Sequence, residues 1–377
     1  YYNILIQHIG RGIKLSSIFD YLDWRGDIPL YFAGFNELDS LILARLSYIP
    51  FDGIVSEDFL SKITVAEAAA RFFDTNEAIK RADKNADLIL LKKTAESRRF
   101  SDLTLCGYIN EWDEDAEKQF SAVTVDLPGS VSYISYRGTD SSIVGWKEDF
   151  NMSFKCPVPS QESAVSYMNK AASVLTTDLI AGGHSKGGNL AVFAASFCRG
   201  DFKGRISSVY NFDGPGFDSK VIEQDGYKDI CSRVLTFVPQ SSIIGMLLEH
   251  EEPYTIIKSR GKNGLIQHNI YSWLVSPKGF TRLDNVDSKS TFIDHTLKEW
   301  VRKMTPQERE VFVDTSYKMI CKTGAHTVND LNGIGLKKVM VLLSSLKGMD
   351  DESKDVIFGA VELLLESAKI SFKKVFL

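Results

Sequence analysis

The chain holds one stretch whose residue types and spacing could do chemistry by themselves: Ala181-Gly182-Gly183-His184-Ser185-Lys186-Gly187-Gly188-Asn189. Within it, Gly183-x-Ser185-x-Gly187 is the pattern of a nucleophile elbow, a sharp strand-to-helix turn with a strained serine at its tip. The glycines have a steric reason, since a β-carbon two residues before or after the serine would clash in so tight a turn. The chemistry implied is acyl transfer to a serine oxygen, as in a serine hydrolase or acyltransferase.

A serine hydroxyl needs a base, and the base needs a carboxylate to hold its tautomer. In an elbow fold these follow in the order Ser, acid, His. Four histidines follow Ser185: His250, His268, His295 and His326. His250 sits in an acidic run, and His295 and His326 lie in a helical tail. His268, in a loop just past an apolar strand at 254–257, is the favoured base. For the acid, Asp213 directly follows the strand-like run Ile206–Phe212 and precedes a Gly-Pro-Gly turn. Asp218 and Glu249 remain alternatives. Two donors must meet the developing oxyanion. The Lys186 N–H, next after the nucleophile, is one. Thr139, in the loop after the strand 131–136, offers its N–H and hydroxyl as the other.

These residues need elements to position them. Asp178–Gly182 is a short apolar run suited to a buried strand, and Asn189–Phe197 is an apolar run of helix formers. Strands at 120–125 and 131–136 flank Leu127-Pro128-Gly129-Ser130, which reads as a hairpin. A helix is expected from Glu162 to Leu175, and further strands at 206–212, 233–238 and 254–257. Strands alternating with helices imply a mainly parallel sheet covered by helices, an α/β fold. Residues 1–100 read as an N-terminal helical and irregular part packed on the core, with helices over Asn36–Ile49 and Thr64–Ala82. The latter opens on a Thr64/Glu67 capping box. The core spans 101–280. A polar stretch at 276–290 reads as a linker to a C-terminal helical region, 290–377, with helices near 292–304, 306–322, 335–347 and 351–374. That region carries no chemistry of its own and reads as packing or a partner surface.

Composition sets the class. The 377 residues are 44% hydrophobic and 25% charged, ordinary globular values, with net charge −5 and no basic block that would suit nucleic acid. Five scattered cysteines without CxxC spacing argue for a reducing compartment and against a disulfide framework or a zinc site. No apolar run approaches the roughly 18 residues of a membrane span. The expected location is cytoplasmic. The chain opens on Tyr rather than Met, so a leader removed earlier is left open. No phosphate-binding glycine motif or metal-ligand cluster appears, and no cofactor is expected.

Tyr136-Arg137-Gly138-Thr139, then Trp146-Lys147-Glu148-Asp149-Phe150, then Gly183-His184-Ser185-Lys186-Gly187-Gly188 together resemble the class three (fungal-type) lipases. More closely, the chain resembles a bacterial family of lipase-like α/β hydrolases of undefined substrate. The resemblance spans residues 36 to 275. It implies an α/β-hydrolase fold, with Ser185 as nucleophile, Lys186 N–H and Thr139 as oxyanion hole, and His268 as base. It implies a mobile lid after Thr139, in which Ile143, Val144 and Trp146 would cover an acyl pocket. The alternative makes Trp146 a core anchor and Asp149 a cap. Two departures stand out. Class three lipases place the acid after the strand that ends here at Val238-Pro239, where this chain has Gln240-Ser241-Ser242. Lysine also replaces the usual leucine at 186; its charge would favour an anionic acyl group or a phospholipid head, or else face solvent. The expected substrate is a small-molecule or lipid ester. The missing carboxylate at 240–242 motivates a second reading, a non-catalytic protein of the same fold that binds a ligand or partner.

Overall fold

The computed structural model describes residues 16–82, 84–140, 143–152, 155–262, 264–285, 288–322 and 351–376. The Ile143, Val144 and Trp146 side chains, the expected lid, lie outside the described residues, as do His326 and the helix expected at 335–347.

The strands are β1 (Ile63–Thr64), β2 (Thr104–Asp113), β3 (Lys118–Leu127), β4 (Val131–Tyr136), β5 (Asp178–His184), β6 (Ile206–Phe212), β7 (Val234–Pro239), β8 (Tyr254–Ile257), β9 (Val275–Ser276), β10 (Gly279–Phe280) and β11 (Arg282–Leu283). Nine form one sheet in the order β1-β2-β3-β4-β5-β6-β7-β8-β11. From β4 to β8 neighbours run parallel. The margins are antiparallel, with β1, β2 and β3 leading into β4 and β11 closing on β8. The expected hairpin is β3–β4, its turn made by Gly129 and Ser130 at φ 86° and 61°.

The parallel strands lie in chain order with no switch of direction. Right-handed crossovers in such an order all fall on one face. There the helices Pro159–Val174, Lys186–Phe197 and Asp225–Cys231 pack into one apolar cluster with Ile134, Ala181 and Val209 of the sheet. The opposite face needs another cover, and the N-terminal region supplies it. Leu38, Leu41, Ile42 and Leu46 of the helix Glu37–Leu46 are buried in a second cluster with Tyr133, Ile180 and Phe212.

Two local expectations changed. The Thr64 capping box is present, but its helix stops at Phe73 and a second runs over Asn76–Arg81. Asp74, Thr75 and Asn76 fall in succession there, side chains that compete for backbone hydrogen bonds inside a helix. The polar stretch at 276–290 is also partly ordered into the core. Phe280 of β10 is buried against the rings of Phe212, Phe237 and Trp273, so the first half of that stretch is anchored by one aromatic residue.

The tail contributes helices Ser288–Lys303, Pro306–Lys322 and Asp351–Phe376. Thr305 and Glu308 form the reciprocal cap that starts the second. All five cysteines are free. Among the described residues no helix is long and apolar enough to cross a membrane.

Candidate active site

Parallel strands put their carboxyl ends on one edge, and ligands in open α/β sheets bind outside that edge. Thr139 follows β4 there, Ser185 follows β5, Asp213 follows β6 and Ser242 follows β7.

Ser185 has φ 59° and ψ −133°, a left-handed conformation that costs a non-glycine residue strain. Its surroundings hold it there. The Ser185 N–H donates to the Phe212 carbonyl at 2.9 Å, and its own carbonyl accepts from the Gly188 N–H at 2.9 Å. A β-carbon on Gly183 would stand 2.3 Å from the Gly187 carbonyl, and one on Gly187 would stand 2.2 Å from the Tyr136 oxygen. The turn therefore closes only with glycine at both positions.

Asp213 is fully buried and also left-handed, at φ 54°. Its N–H donates to the Phe237 carbonyl at 2.8 Å. Two asparagines fix the turn that follows. Asn211 Oδ1 accepts from the Gly214 N–H at 2.9 Å, and Asn189 Nδ2 donates to the carbonyls of Pro215 and Gly216 at 3.1 and 2.9 Å. Both carboxylate oxygens are engaged. Oδ2 accepts from His268 Nδ1 at 2.7 Å, and Oδ1 accepts from the Ser242 hydroxyl at 2.5 Å.

His268 ends a short helical turn, Gly264–Gln267, and its N–H donates to the Gly264 carbonyl at 2.9 Å. The loop is tied down on both sides. Gln267 accepts from the Ser241 N–H at 2.8 Å and donates to the Gly261 carbonyl at 2.9 Å, while the buried Trp273 indole donates to the Gln267 carbonyl at 2.7 Å. With Nδ1–H given to Asp213, the other ring nitrogen, Nε2, carries the lone pair of a base. The ring lies 4.5 Å, centroid to centroid, from that of His184, the residue before Ser185. His184 Nε2 donates to the His268 carbonyl at 2.8 Å, and Tyr48 reaches His184 Nδ1 at 3.2 Å. Burial first, then the neighbouring His268, hold the His184 imidazole well below its usual range, so it stays neutral. His184 and Tyr48 were not singled out in the sequence. The one signal for His184 was its place beside the serine; for Tyr48, 90 positions from Gly138 to whose N–H it is bonded, there was none.

The two oxyanion candidates need correcting in their side chains. The Thr139 hydroxyl donates to both oxygens of Asp149, at 2.7 Å each, which leaves its N–H as the free donor type. Asp149 is thus neither helix cap nor loop cap. Burial lifts its carboxyl to about 6, against the pull of Lys186 and the Thr139 hydrogen bond. The Lys186 ammonium does not face solvent. It is buried, paired at 2.8 Å with the fully buried Glu148 and donating at 2.8 Å to the Gln119 carbonyl. Its N–H remains at the first turn of the helix, among the leading donors that have no partner within a helix.

The other candidates are occupied elsewhere. Asp218 caps the turn Ser219–Ile222, Glu249 pairs backbone with Phe217, and His250 Nδ1 bonds Glu252 at 3.0 Å. His295 lies on the tail helix Ser288–Lys303.

The Mbeg1-like family matches residues 94–318. No curated protein matches the sequence. Among solved structures, the crystal structure of M37 lipase is similar at 16% identity and TM-score 0.37, over 56% of this chain and 70% of that one. The lipase of Rhizomucor miehei in complex with its propeptide is similar at 14% identity and TM-score 0.35, over 58% and 67%.

Proposed function

This chain belongs to the Mbeg1-like family, and on that premise we propose that it is a serine hydrolase of α/β-hydrolase type that cleaves carboxylic esters through an acyl-enzyme on Ser185. The single observation that carries the reading is the His268 Nδ1 to Asp213 Oδ2 hydrogen bond of 2.7 Å, formed beside a strained serine at the end of the neighbouring strand.

The steps follow from the protonation states. His268 Nε2 takes the Ser185 proton as Oγ attacks the ester carbonyl, and buried Asp213 stabilises the imidazolium. The carbonyl oxygen becomes an oxyanion, met by the N–H groups of Lys186 and Thr139. Collapse expels the alcohol, which takes the proton from His268. Water then enters and gives a proton to His268 as its oxygen attacks the acyl carbon; collapse breaks the bond to Ser185 Oγ, which takes that proton from His268, and releases the acid. Acid, base and nucleophile sit at carboxyl ends of the sheet or on a loop tied to them, so their geometry is set before substrate arrives. Against the non-catalytic alternative stands the bond between Asp213 and His268, which brings a carboxylate to the histidine although none stands at 240–242.

The test is covalent labelling by a fluorophosphonate. The expected result is one adduct per chain, lost in Ser185→Ala and slowed in His268→Ala. Folded protein that takes no adduct would overturn the reading. A panel of esters of rising acyl length then measures what the site accepts.

A further inference from the structure

The C-terminal helix Asp351–Phe376 carries an exposed apolar stripe. Its buried face carries Ala360, Ser367 and Ser371, and the two serine hydroxyls there have no hydrogen-bond partner. Trp300 donates to the Ala360 carbonyl at 2.7 Å and Lys303 pairs with Glu366 at 3.0 Å, so this face is committed to the helix Ser288–Lys303. Four large apolar side chains stand outside: Phe358 is 61% exposed, Val361 49%, Leu365 60% and Phe372, whose ring meets that of Phe292 edge-on at 6.5 Å between centroids, 52%.

These four follow the three-four spacing of a heptad seam, and Ala368 fills its missing step. Such a seam is the face of a helix that packs along another helix. The charges say which helix. Before Leu365 the helix has Asp351, Glu352, Asp355 and Glu362 against Lys354; after it, Glu366 stands against Lys369, Lys373 and Lys374. Parallel pairing of two such helices would set acid on acid and base on base. Antiparallel pairing about a two-fold axis near Leu365 sets acid on base. It also brings Phe358 to the partner's Phe372, since both lie seven residues from Leu365. Glu362 and Lys369, both exposed, then face each other across the axis. A bilayer is the poorer occupant, because Glu362 borders the seam and is repelled by anionic lipid.

We propose that this face is an interface between two copies of the chain, an antiparallel pair of C-terminal helices related by a two-fold axis near Leu365. A C2 contact must be self-complementary in this way. The contact is one helix on one helix, at the small end of interface sizes, so the dimer is a weak and concentration-dependent one.

Sedimentation of the full chain at concentrations from about 1 to about 100 µM tests it. The expected result is a mass rising from 42.2 kDa toward twice that value. Leu365→Glu, at an exposed position, should leave the circular dichroism unchanged and abolish the rise. Glu362→Lys and Lys369→Glu should each raise the dimer dissociation constant by about fivefold, and the double variant should restore it. A chain that stays monomeric throughout would overturn the proposal, whether or not it then binds neutral or anionic vesicles. So would a dimer indifferent to Leu365→Glu, or single charge reversals that the double variant fails to rescue.

Discussion

Ser242 donates its hydroxyl to Asp213 Oδ1 at 2.5 Å, while His268 takes the other oxygen of the same carboxylate. Ser242 stands after β7 and supports the carboxylate that follows β6. Asp213→Asn should keep the fold and lower ester turnover by about 10⁴, because the amide stabilises the wrong histidine tautomer. Ser242→Ala should lower it far less and cost about 1–3 kcal/mol of stability, the worth of a buried hydrogen bond to a charge. Ester kinetics and urea melts of the two variants check both. Equal losses of turnover would show that Ser242 does more than hold the carboxylate.

Lys186 and Glu148 form a buried ion pair at 1% and 0% exposure. Removing one charge strands the other. Lys186→Met alone should therefore destabilise by about 3–5 kcal/mol, whereas the double change with Glu148→Met should recover most of it. The double variant should keep the preference between neutral and anionic esters, since the ammonium is buried against Glu148 and the Gln119 carbonyl. A change in that preference would return Lys186 to the binding site.

Asp149 gives a pH signature. Its folded value, about 6, is raised above the ordinary 3.8 by burial. A raised carboxyl favours the protonated form, so its contribution to stability is fully present below about pH 4 and lost as pH rises through 6. Asp149→Asn removes that dependence. The stability of the wild type relative to the variant should fall between pH 4 and 6 and stay flat above. Denaturation midpoints measured across pH 4–8 check it, and parallel curves would refute it.

Glu252 has the opposite sign. Burial pushes its carboxyl up, but His250 together with the hydroxyls of Thr236 and Tyr227, each at 2.6 Å, brings it down to about 2. Its stabilisation is present above about pH 4.5 and lost as pH falls through 2. Glu252→Gln should shrink the stability difference between pH 5 and pH 2, read by thermal melts at the two values.

Much of the site could be read from the sequence because it is written in local patterns. Gly183-x-Ser185-x-Gly187 encodes a backbone turn, and Asp213 follows a strand-like run directly. His268 could be ranked against the other histidines by its distance from the last core strands, but its contact with Asp213 spans 55 positions and is a fact of folding. The partners of Lys186 lie 38 and 67 positions away. No local rule distinguishes a buried paired lysine from an exposed one, so the place of its side chain is not legible there. Likewise the Thr139 hydroxyl was counted as an oxyanion donor because nothing nearby in sequence marks Asp149 as its acceptor. The break at Asp74-Thr75-Asn76 was legible in principle, as three helix-competing side chains in a row, but the apolar periodicity ran across it.

The contact between His184 and Tyr48 separates what is inherited from what folds. The family match begins at residue 94, yet Tyr48 accepts from the Gly138 N–H in the loop after β4, donates to the His184 carbonyl of the elbow at 3.2 Å, and carries Arg45 on its ring at 3.5 Å. Arg45 also pairs with Asp87 at 2.6 Å, and Asp87 accepts from Tyr271, three residues past His268. A chain shortened to the matched stretch would keep Ser185, Asp213 and His268 and lose the contacts of Tyr48, Arg45 and Asp87 that brace them. Residues 16–100 brace the carboxyl edge of the sheet, so homologues are best compared over both parts together.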